Sequence, residues 1–384
     1  MGMELGLQAT QLRASTISIL LDQGFSIKEN QLEISGEHLL TREQKRNIHT
    51  FARLEKLTKH KDFLINNLPT VKKYMVDGKN IDVTKIAPSI RAISINSDEE
   101  IVFKWWNLAW WSLPYERAYG RQMRFMVWDD YHNAPMGLIG LQSPILSWRA
   151  RDEYLGISVE ERDYWVNQSM SAQRLGALPP YNHLLGGKLI GMMLTANAIR
   201  EAFECKYKNR KTLIKNRTLP ARLLFITTTG AFGKSSVYDR LKFDNHKVAE
   251  FIGMTKGSGT FHVPDTLYDQ LVGYLTAQGV DTKRGYGGGP SKKMHLIGQA
   301  FSALGIRQGS HHGIQRAVYL FPLASNLENV IKKEENPLWY NHNECAMAEF
   351  WKQRWAIPRS ERDKSYRDFK SQSVIDEMLT DLGT

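Results

Sequence analysis

A Gly-Gly-Lys run, Gly186, Gly187 and Lys188, stands at the head of an apolar stripe with helical spacing, and this placement could hold a phosphate. Two glycines at a helix N-terminus expose backbone N–H groups and the positive end of the helix dipole, and they let an anion approach closely. Lys188 adds charge. The run is not a Walker A loop, because Leu189 stands where Ser or Thr would hold magnesium. A second candidate lies between Ser310 and Arg316, where His312 and Arg316 suit a loop that touches phosphate. The adjacent His311 and His312 diverge, so a metal would need His295 or His342 as well, and no metal site is expected. Pro264-Asp265 and Asp281-Thr282-Lys283 mimic a nuclease carboxylate–lysine pattern, but they flank a helix where that chemistry needs paired strands. Neither a Ser nor a Cys lies in a nucleophile-elbow sequence.

Basic residues supply the next candidates. Lys and Arg number 51 against 40 Asp and Glu, a net charge of +11. That excess points to an anionic partner, nucleic acid first and DNA before RNA. The contacts expected are Arg149, Arg151, Lys206, Lys208, Arg210, Lys211, His312, Arg316, Arg354, Arg359 and Arg362. The plain alternative is a set of solvated helix faces, above all for the basic helix after the Thr41/Gln44 capping box. Trp105, Trp106, Trp110 and Trp111 form two adjacent pairs that cannot share one helix face. They suit core, base stacking or a scaffold contact with partner proteins.

These residues need elements to position them. The chain has 384 residues, 42% hydrophobic and 24% charged, which is ample for a core and suggests two or three domains. Its two cysteines, Cys205 and Cys345, cannot build a disulfide framework. No apolar run approaches a membrane span, and the start lacks a signal-peptide pattern, so a cytoplasmic protein without a membrane partner is expected. A helix with Trp105 on its inner face follows Ser97. Met123–Asp129 and Met136–Gln142 read as a hairpin. A long helix should carry Leu185, Leu189, Met192, Ala196, Ile199 and Phe203 on one face. Arg222–Thr227 reads as a strand, Ser235–Phe243 as a short helix, and Asp265 as the cap of a helix ending at Gly279. Arg284–Gly289 reads as a flexible connector, Ser291–Leu304 as a helix and Ala317–Leu323 as a strand. The expected division is a basic helical region 1–97, an α/β core 98–250 and a basic α/β region 251–384.

The order strand, strand, Gly-Gly loop, long helix, strand, short helix resembles the GNAT acyltransferase fold. The class implied is α+β, with a GNAT-like central mixed sheet flanked by helices. The resemblance implies that the loop from Asn182 to Gly187 cradles the pyrophosphate of a coenzyme A-like ligand. It also implies that Tyr238, in Ser236-Val-Tyr-Asp-Arg-Leu241, acts as general acid. The loop only approximates the usual acyltransferase pattern, and Pro179 and Pro180 interrupt the strand before it.

Longer motifs carry a second resemblance. They include Gly120-Arg-Gln-Met-Arg-Phe125, Gly176-Ala-Leu-Pro-Pro-Tyr-Asn182 and Thr227-Thr-Thr-Gly-Ala-Phe-Gly-Lys-Ser-Ser236. His312-Gly-Ile-Gln-Arg-Ala-Val-Tyr319 and Trp351-Lys-Gln-Arg-Trp355 complete the set. Over about residues 85–370 the chain resembles the DruA family of Druantia anti-phage defence systems. The resemblance implies a bacterial defence role beside other Druantia proteins, including the helicase-like DruE. On the residues themselves, three readings stand: a nucleic-acid binder, a GNAT-like transferase acting on DNA, RNA or protein, and a scaffold.

Overall fold

The computed structural model describes residues 2–33, 41–116, 118–212, 215–283, 291–307 and 309–384. The expected connector at 284–289 lies outside the described residues. Seven strands form one sheet: β1 (Pro88–Ala92), β2 (Gln122–Asp129), β3 (Ala134–Gln142), β4 (Ser169–Ala177), β5 (Phe225–Thr229), β6 (Glu250–Met254) and β7 (Ala317–Pro322). Their order across the sheet is β6-β7-β5-β4-β3-β2-β1. Every neighbouring pair is antiparallel except β4 and β5. The helices that matter below are α1 (Gly2–Asp22), α2 (Thr50–Lys59), α3 (Asp98–Ala109), α4 (Arg149–Leu155) and α5 (Gly186–Met193). They continue with α6 (Asn197–Tyr207), α7 (Asp265–Ala277), α8 (Lys292–Ala303), α9 (Glu344–Trp351) and α10 (Ser371–Asp381). The fold is therefore α+β with a mixed sheet, as expected. That sheet draws strands from residues 88–92, 122–254 and 317–322, so it runs through both expected domain boundaries.

The β2–β3 hairpin forms where the sequence places it, and its turn is held by Asp129. This buried carboxylate accepts from Ala87 N at 3.0 Å, Tyr131 N at 3.2 Å and the Tyr181 hydroxyl at 2.8 Å. It also meets His132 Nδ1 at 2.6 Å, while His132 Nε2 accepts from Asp82 N at 3.0 Å. The pairing resembles a catalytic Asp–His couple, but both ring nitrogens are engaged within the protein and the network is structural.

The face of α3 carries Trp105 and Trp106 inward together, at 0% and 2% exposure. Two adjacent rings can both be buried because α3 is covered on two sides. The sheet residues Met126, Trp128 and Leu138 lie on one, and Leu64, Val71, Val374 and Ile375 on the other. Trp105 Nε1 donates to Leu64 O at 3.2 Å. These tryptophans are core, and the scaffold contact expected of them is left to the partly exposed Trp110 and Trp111.

Three expected helices change. The long helix after Leu185 is two, α5 and α6, and the apolar stripe runs through both. The break follows from a tertiary clamp: Asn197 N donates to His342 O at 2.9 Å, and His342 N donates to Asn197 Oδ1 at 3.2 Å. The helix expected over Ser235–Phe243 is one turn, Tyr238–Arg240. Asp244 and Asn245 have φ of 47° and 62°, the left-handed pair of a two-residue hairpin joining 242–243 to 246–247. The basic helix after Thr41 breaks at Ile48 and His49, so α2 starts afresh at Thr50. The expected strand at 222–227 is shifted, because pairing starts at Phe225 opposite Ser169.

The N-terminal residues and the long connection between β6 and β7 form one layer. Leu20, Phe25, Leu32 and Ile48 share a buried cluster with Leu267, Leu271, Ile297 and Phe301. Asp265 locks this layer. It is the first residue of α7, and the cap comes instead from Glu55 of α2, which accepts from Asp265 N at 2.9 Å and Thr266 N at 3.2 Å. In return the Asp265 carboxylate takes Lys56 at 2.6 Å, Lys293 at 2.8 Å and Lys59. Lys56 and Lys59 are thus committed to a carboxylate and do not face a ligand. Asp265 is equally committed, which removes the nuclease pattern.

Burial opposes ionisation of Asp265, but the hydrogen bonds from Lys293, Lys56 and Lys59 outweigh it and hold the carboxyl well below its ordinary range. Such a group stabilises the fold fully above its unfolded value, about 3.9, and the contribution disappears as pH falls through the folded value. Asp265→Asn is therefore expected to lower stability by about 2 kcal/mol at pH 7, with a smaller difference from the parent at pH 3. Urea unfolding at the two pH values measures it. An equal difference at both would show that the lysine clamp is not what the carboxylate contributes.

Candidate functional site

The parallel junction of the sheet is short. β4 and β5 pair only from Ser169–Ser171 to Phe225–Thr227. Just beyond, the β3–β4 register slips between Gly140/Arg174 and Leu141/Ala172, so Gln173 is bulged out of β4. The strands then part, and a cleft of about 1310 Å³ opens between Ser171–Leu175 and Thr228–Ala231. The α4 end, β6 and the layer holding α2 supply its other walls, including Trp148, Tyr154, Phe261 and His312.

Two arginines are set into this cleft. Arg174 of β4 is 5% exposed. It donates to Asn107 Oδ1, to Gln173 O at 2.8 Å and to Pro114 O at 3.1 Å. Arg316, one residue before β7, donates from its terminal nitrogen to His49 Nε2 at 3.2 Å. Neither arginine forms an ion pair with a carboxylate among the described residues. Because arginine only donates, His49 Nε2 is the acceptor, and the ring proton sits on Nδ1. His49 Nδ1 and Arg316 Nε are both buried donors with no acceptor among the described residues.

The histidines around Arg316 are uncharged at neutral pH. Burial, helped by the Arg316 charge, pushes His49 down to about 3. Burial likewise lowers His262 to about 4 and depresses His312, against which His262, Arg316 and His49 also act. His312 Nδ1 accepts from Ile314 N at 3.1 Å, and His262 Nε2 donates to Gly309 O at 2.6 Å. These rings therefore shape the wall, and the positive charge of the cluster belongs to Arg316.

Of the residues expected to bind, His312 and Arg316 meet in the cleft, and Arg149 lies at its mouth, paired with Glu153 at 2.6 Å. Arg151 is a correction: it is fully buried and unable to reach a phosphate. It donates to Ile145 O and Leu146 O, each at 2.7 Å, and to Asp152 at 2.8 Å, so it holds the ridge 142–148 that bounds the cleft. Lys208, Arg210 and Lys211 are exposed on a separate face, and Lys206 is tied to Gln122 O at 2.7 Å. Arg359 pairs with Asp363 at 2.5 Å, and Arg362 is exposed.

The Gly-Gly-Lys run is outside the cleft lining. A Cβ on Gly186 would come within 2.6 Å of Tyr181 O, so this glycine is needed for packing. Gly187 has room, its nearest neighbour being Val237 Cγ2 at 3.8 Å. Asn182 Oδ1 accepts from His183 N at 3.0 Å, within its own loop. The Lys188 amine lies 4.9 Å from the Trp355 ring, and burial together with Arg240 and Arg354 lowers its pKa. Lys188, Arg240 and Arg354 thus gather at the head of α5.

Tyr238 stands between this cationic spot and the cleft, which it lines. Its ring meets Tyr319 and Phe321 edge-on at 5.1 and 5.5 Å. Burial, then Tyr319, raises its pKa, so the hydroxyl stays protonated at neutral pH. The cleft residues missed by sequence reasoning are His49 and Arg174. His49 and Arg174 come from a helix start and a strand, and no motif marks either.

No cluster of potential metal ligands occurs among the described residues, and no described helix is long and apolar enough to cross a membrane. A family model described as Druantia protein DruA matches residues 39–333. Druantia protein DruA of Escherichia coli (strain UMEA 4076-1) is 32% identical over 392 positions, which cover 98% of this chain and 94% of that protein. The likeness thus extends to residues before position 85, where the quoted motifs do not reach. No solved structure matches.

Proposed function

Because the chain belongs to the DruA family of Druantia anti-phage defence proteins, we propose that its part in defence is to hold a nucleic-acid strand, DNA before RNA, in the cleft between β4 and β5. The observation that carries this reading is the pair of buried donors without acceptors among the described residues, His49 Nδ1 and Arg316 Nε. A phosphate at the Arg316 guanidinium would neutralise a cation that has no ion pair among the described residues and supply an acceptor where its protein partners run out. Trp148, Tyr154 and Tyr119 line the same cleft and offer faces on which bases stack without sequence preference. A volume of about 1310 Å³ exceeds the roughly 300–1,000 Å³ of small-molecule sites and suits a strand segment. Other Druantia proteins, the helicase-like DruE among them, are the partners that would present such a strand. A salt titration of oligonucleotide binding tests the reading. Affinity should fall by about 0.7 log units per log unit of salt for each phosphate contacted on a single strand. No binding at low salt to single- or double-stranded probes would sink it.

A second reading, a GNAT-like transferase, is favoured by the bulge at Gln173, the lone parallel junction beside it and the place of Tyr238. In that reading Gly187, Lys188, Arg240 and Arg354 fit the phosphates of a coenzyme A-like group, which supplies an activated acyl thioester. The Tyr238 hydroxyl, kept protonated by burial, then serves as a proton donor. Tyr238→Phe separates the two readings. Binding and phage protection are expected to stay within about threefold of the parent, since only a hydroxyl is removed. Loss of protection by roughly 10²–10⁴-fold in rate, with normal melting and normal nucleic-acid binding, would make the transferase the better reading.

A further inference from the structure

Across the ridge 142–148 lies a second pocket of about 670 Å³. Its walls are apolar: Leu146, Phe203, Leu219, Pro220, Ala221 and the face of Tyr207. Its rim is cationic, with Lys206, Arg210, Lys211 and Lys215. Asp163 is the one carboxylate among the described lining residues, and Lys215 at 3.0 Å and Arg217 already share it. Arg121 closes one side, its guanidinium 5.4 Å from the Phe203 ring and 5.6 Å from Tyr207. That guanidinium donates to the carbonyls of Ser169 at 2.9 Å and of Asn167, and it forms no ion pair among the described residues.

We infer that this pocket binds an amphiphilic anion: a hydrocarbon chain in the apolar interior, with its carboxylate at the lysine and arginine rim. The volume falls within the range of small-molecule sites, roughly 300–1,000 Å³. The polar groups inside argue against a nucleobase, because they are already spent. The Tyr207 hydroxyl and Lys206 both donate to Gln122 O, and the Asn167 amide donates to Asp163 O at 2.6 Å. A base edge entering here would lose its water partners and find few others, whereas a chain loses none. Arg210 and Lys211, exposed at the mouth and without an ion pair among the described residues, supply the charge that a carboxylate needs.

The test uses the full-length protein and 11-(dansylamino)undecanoate, whose emission rises in apolar surroundings. Saturable binding at one site, displaced by laurate but not by AMP, is expected. Leu219→Asp, which places a carboxylate in the apolar wall, should weaken it at least about tenfold. The exposed Lys211→Glu should weaken it about threefold and leave melting unchanged, so the test does not depend on the wall variant folding. Dodecanol should compete at least about fivefold less well than laurate. Arg316→Met, in the other cleft, should leave dye binding intact. No saturable emission, equal competition by dodecanol and laurate, displacement by AMP as good as by laurate, or indifference to Lys211→Glu would each overturn the proposal.

Discussion

Arg316→Met is expected to remove roughly ten- to hundredfold of the affinity for a single-stranded oligonucleotide while leaving the fold as stable as the parent or more so. The two effects have one cause. Arg316 is half-buried, forms no ion pair among the described residues, Glu116 of the cleft lining acting on it only at a distance, and leaves Nε without an acceptor among them. Burial accordingly lowers its pKa. A partly desolvated cation without an ion pair among the described residues costs the folded state solvation energy, so its apolar replacement is expected to be neutral to stabilising. A charge-assisted hydrogen bond to phosphate contributes about 1.5–3 kcal/mol, which is the affinity at stake. The salt dependence should also flatten by about 0.7 for the phosphate released. Fluorescence anisotropy across a salt series, paired with a urea melt, reads both quantities. A variant that binds as before would take the cleft out of nucleic-acid recognition. One that unfolds would make Arg316 a structural residue.

Gly78→Ala carries the largest stability change expected, a loss of about 3 kcal/mol or more. An added Cβ would stand 1.7 Å from Tyr366 O, a backbone atom that no rotamer change can move. The same residue donates its N–H to Phe369 O at 2.9 Å, and Asp77 accepts from Ser371 N at 2.8 Å. Prising this seam open would loosen α10, whose Val374, Ile375 and Met378 share the core with Trp105 and Trp106. Gly273→Ala is the control. It sits in α7 with nothing within 4 Å of a built Cβ, so the same substitution should stabilise by about 0.5–1 kcal/mol. Urea midpoints for the pair measure the contrast, and equal shifts would show that the Gly78 contact relaxes at little cost.

Elements whose pattern is local were legible in the sequence. The β2–β3 hairpin, the Ser97 and Ser291 caps and the α8 stripe depend on neighbours within about ten residues, and they stand where periodicity puts them. Where tertiary contacts decide, the sequence was silent. Nothing near Thr195 announces that His342 will clamp Asn197 and divide a continuous apolar stripe. Arg151 looked like a surface cation close to Arg149, but two residues along a helix turn a side chain to the opposite face, here from solvent to interior. The cleft was the least legible part. Its defining residues come from positions 49, 174 and 316, and only the parting of two parallel strands brings them to one place. Gly186 and Gly187 drew attention as a motif, yet the first is needed for its tight fit against Tyr181 and only the second has room.

The position of β7 has a consequence for how the chain is made. This strand is the last of the sheet to be synthesised, yet it pairs on both sides, with β5 on one and β6 on the other. Until residue 322 has left the ribosome, the emerging chain holds β5 and β6 with no partner between them. The layer built from α7 and α8 must be threaded out before the gap can close. Such long-range closure is slow compared with hairpin formation. Unpaired edges exposed in the meantime invite pairing with other chains. A nascent protein released or truncated before Ala317 would therefore depend on chaperones to a degree that the chain with β7 emerged would not. Fast translation through the β6–β7 connection would favour soluble yield, and any truncation ahead of β7 would favour aggregation over partial function.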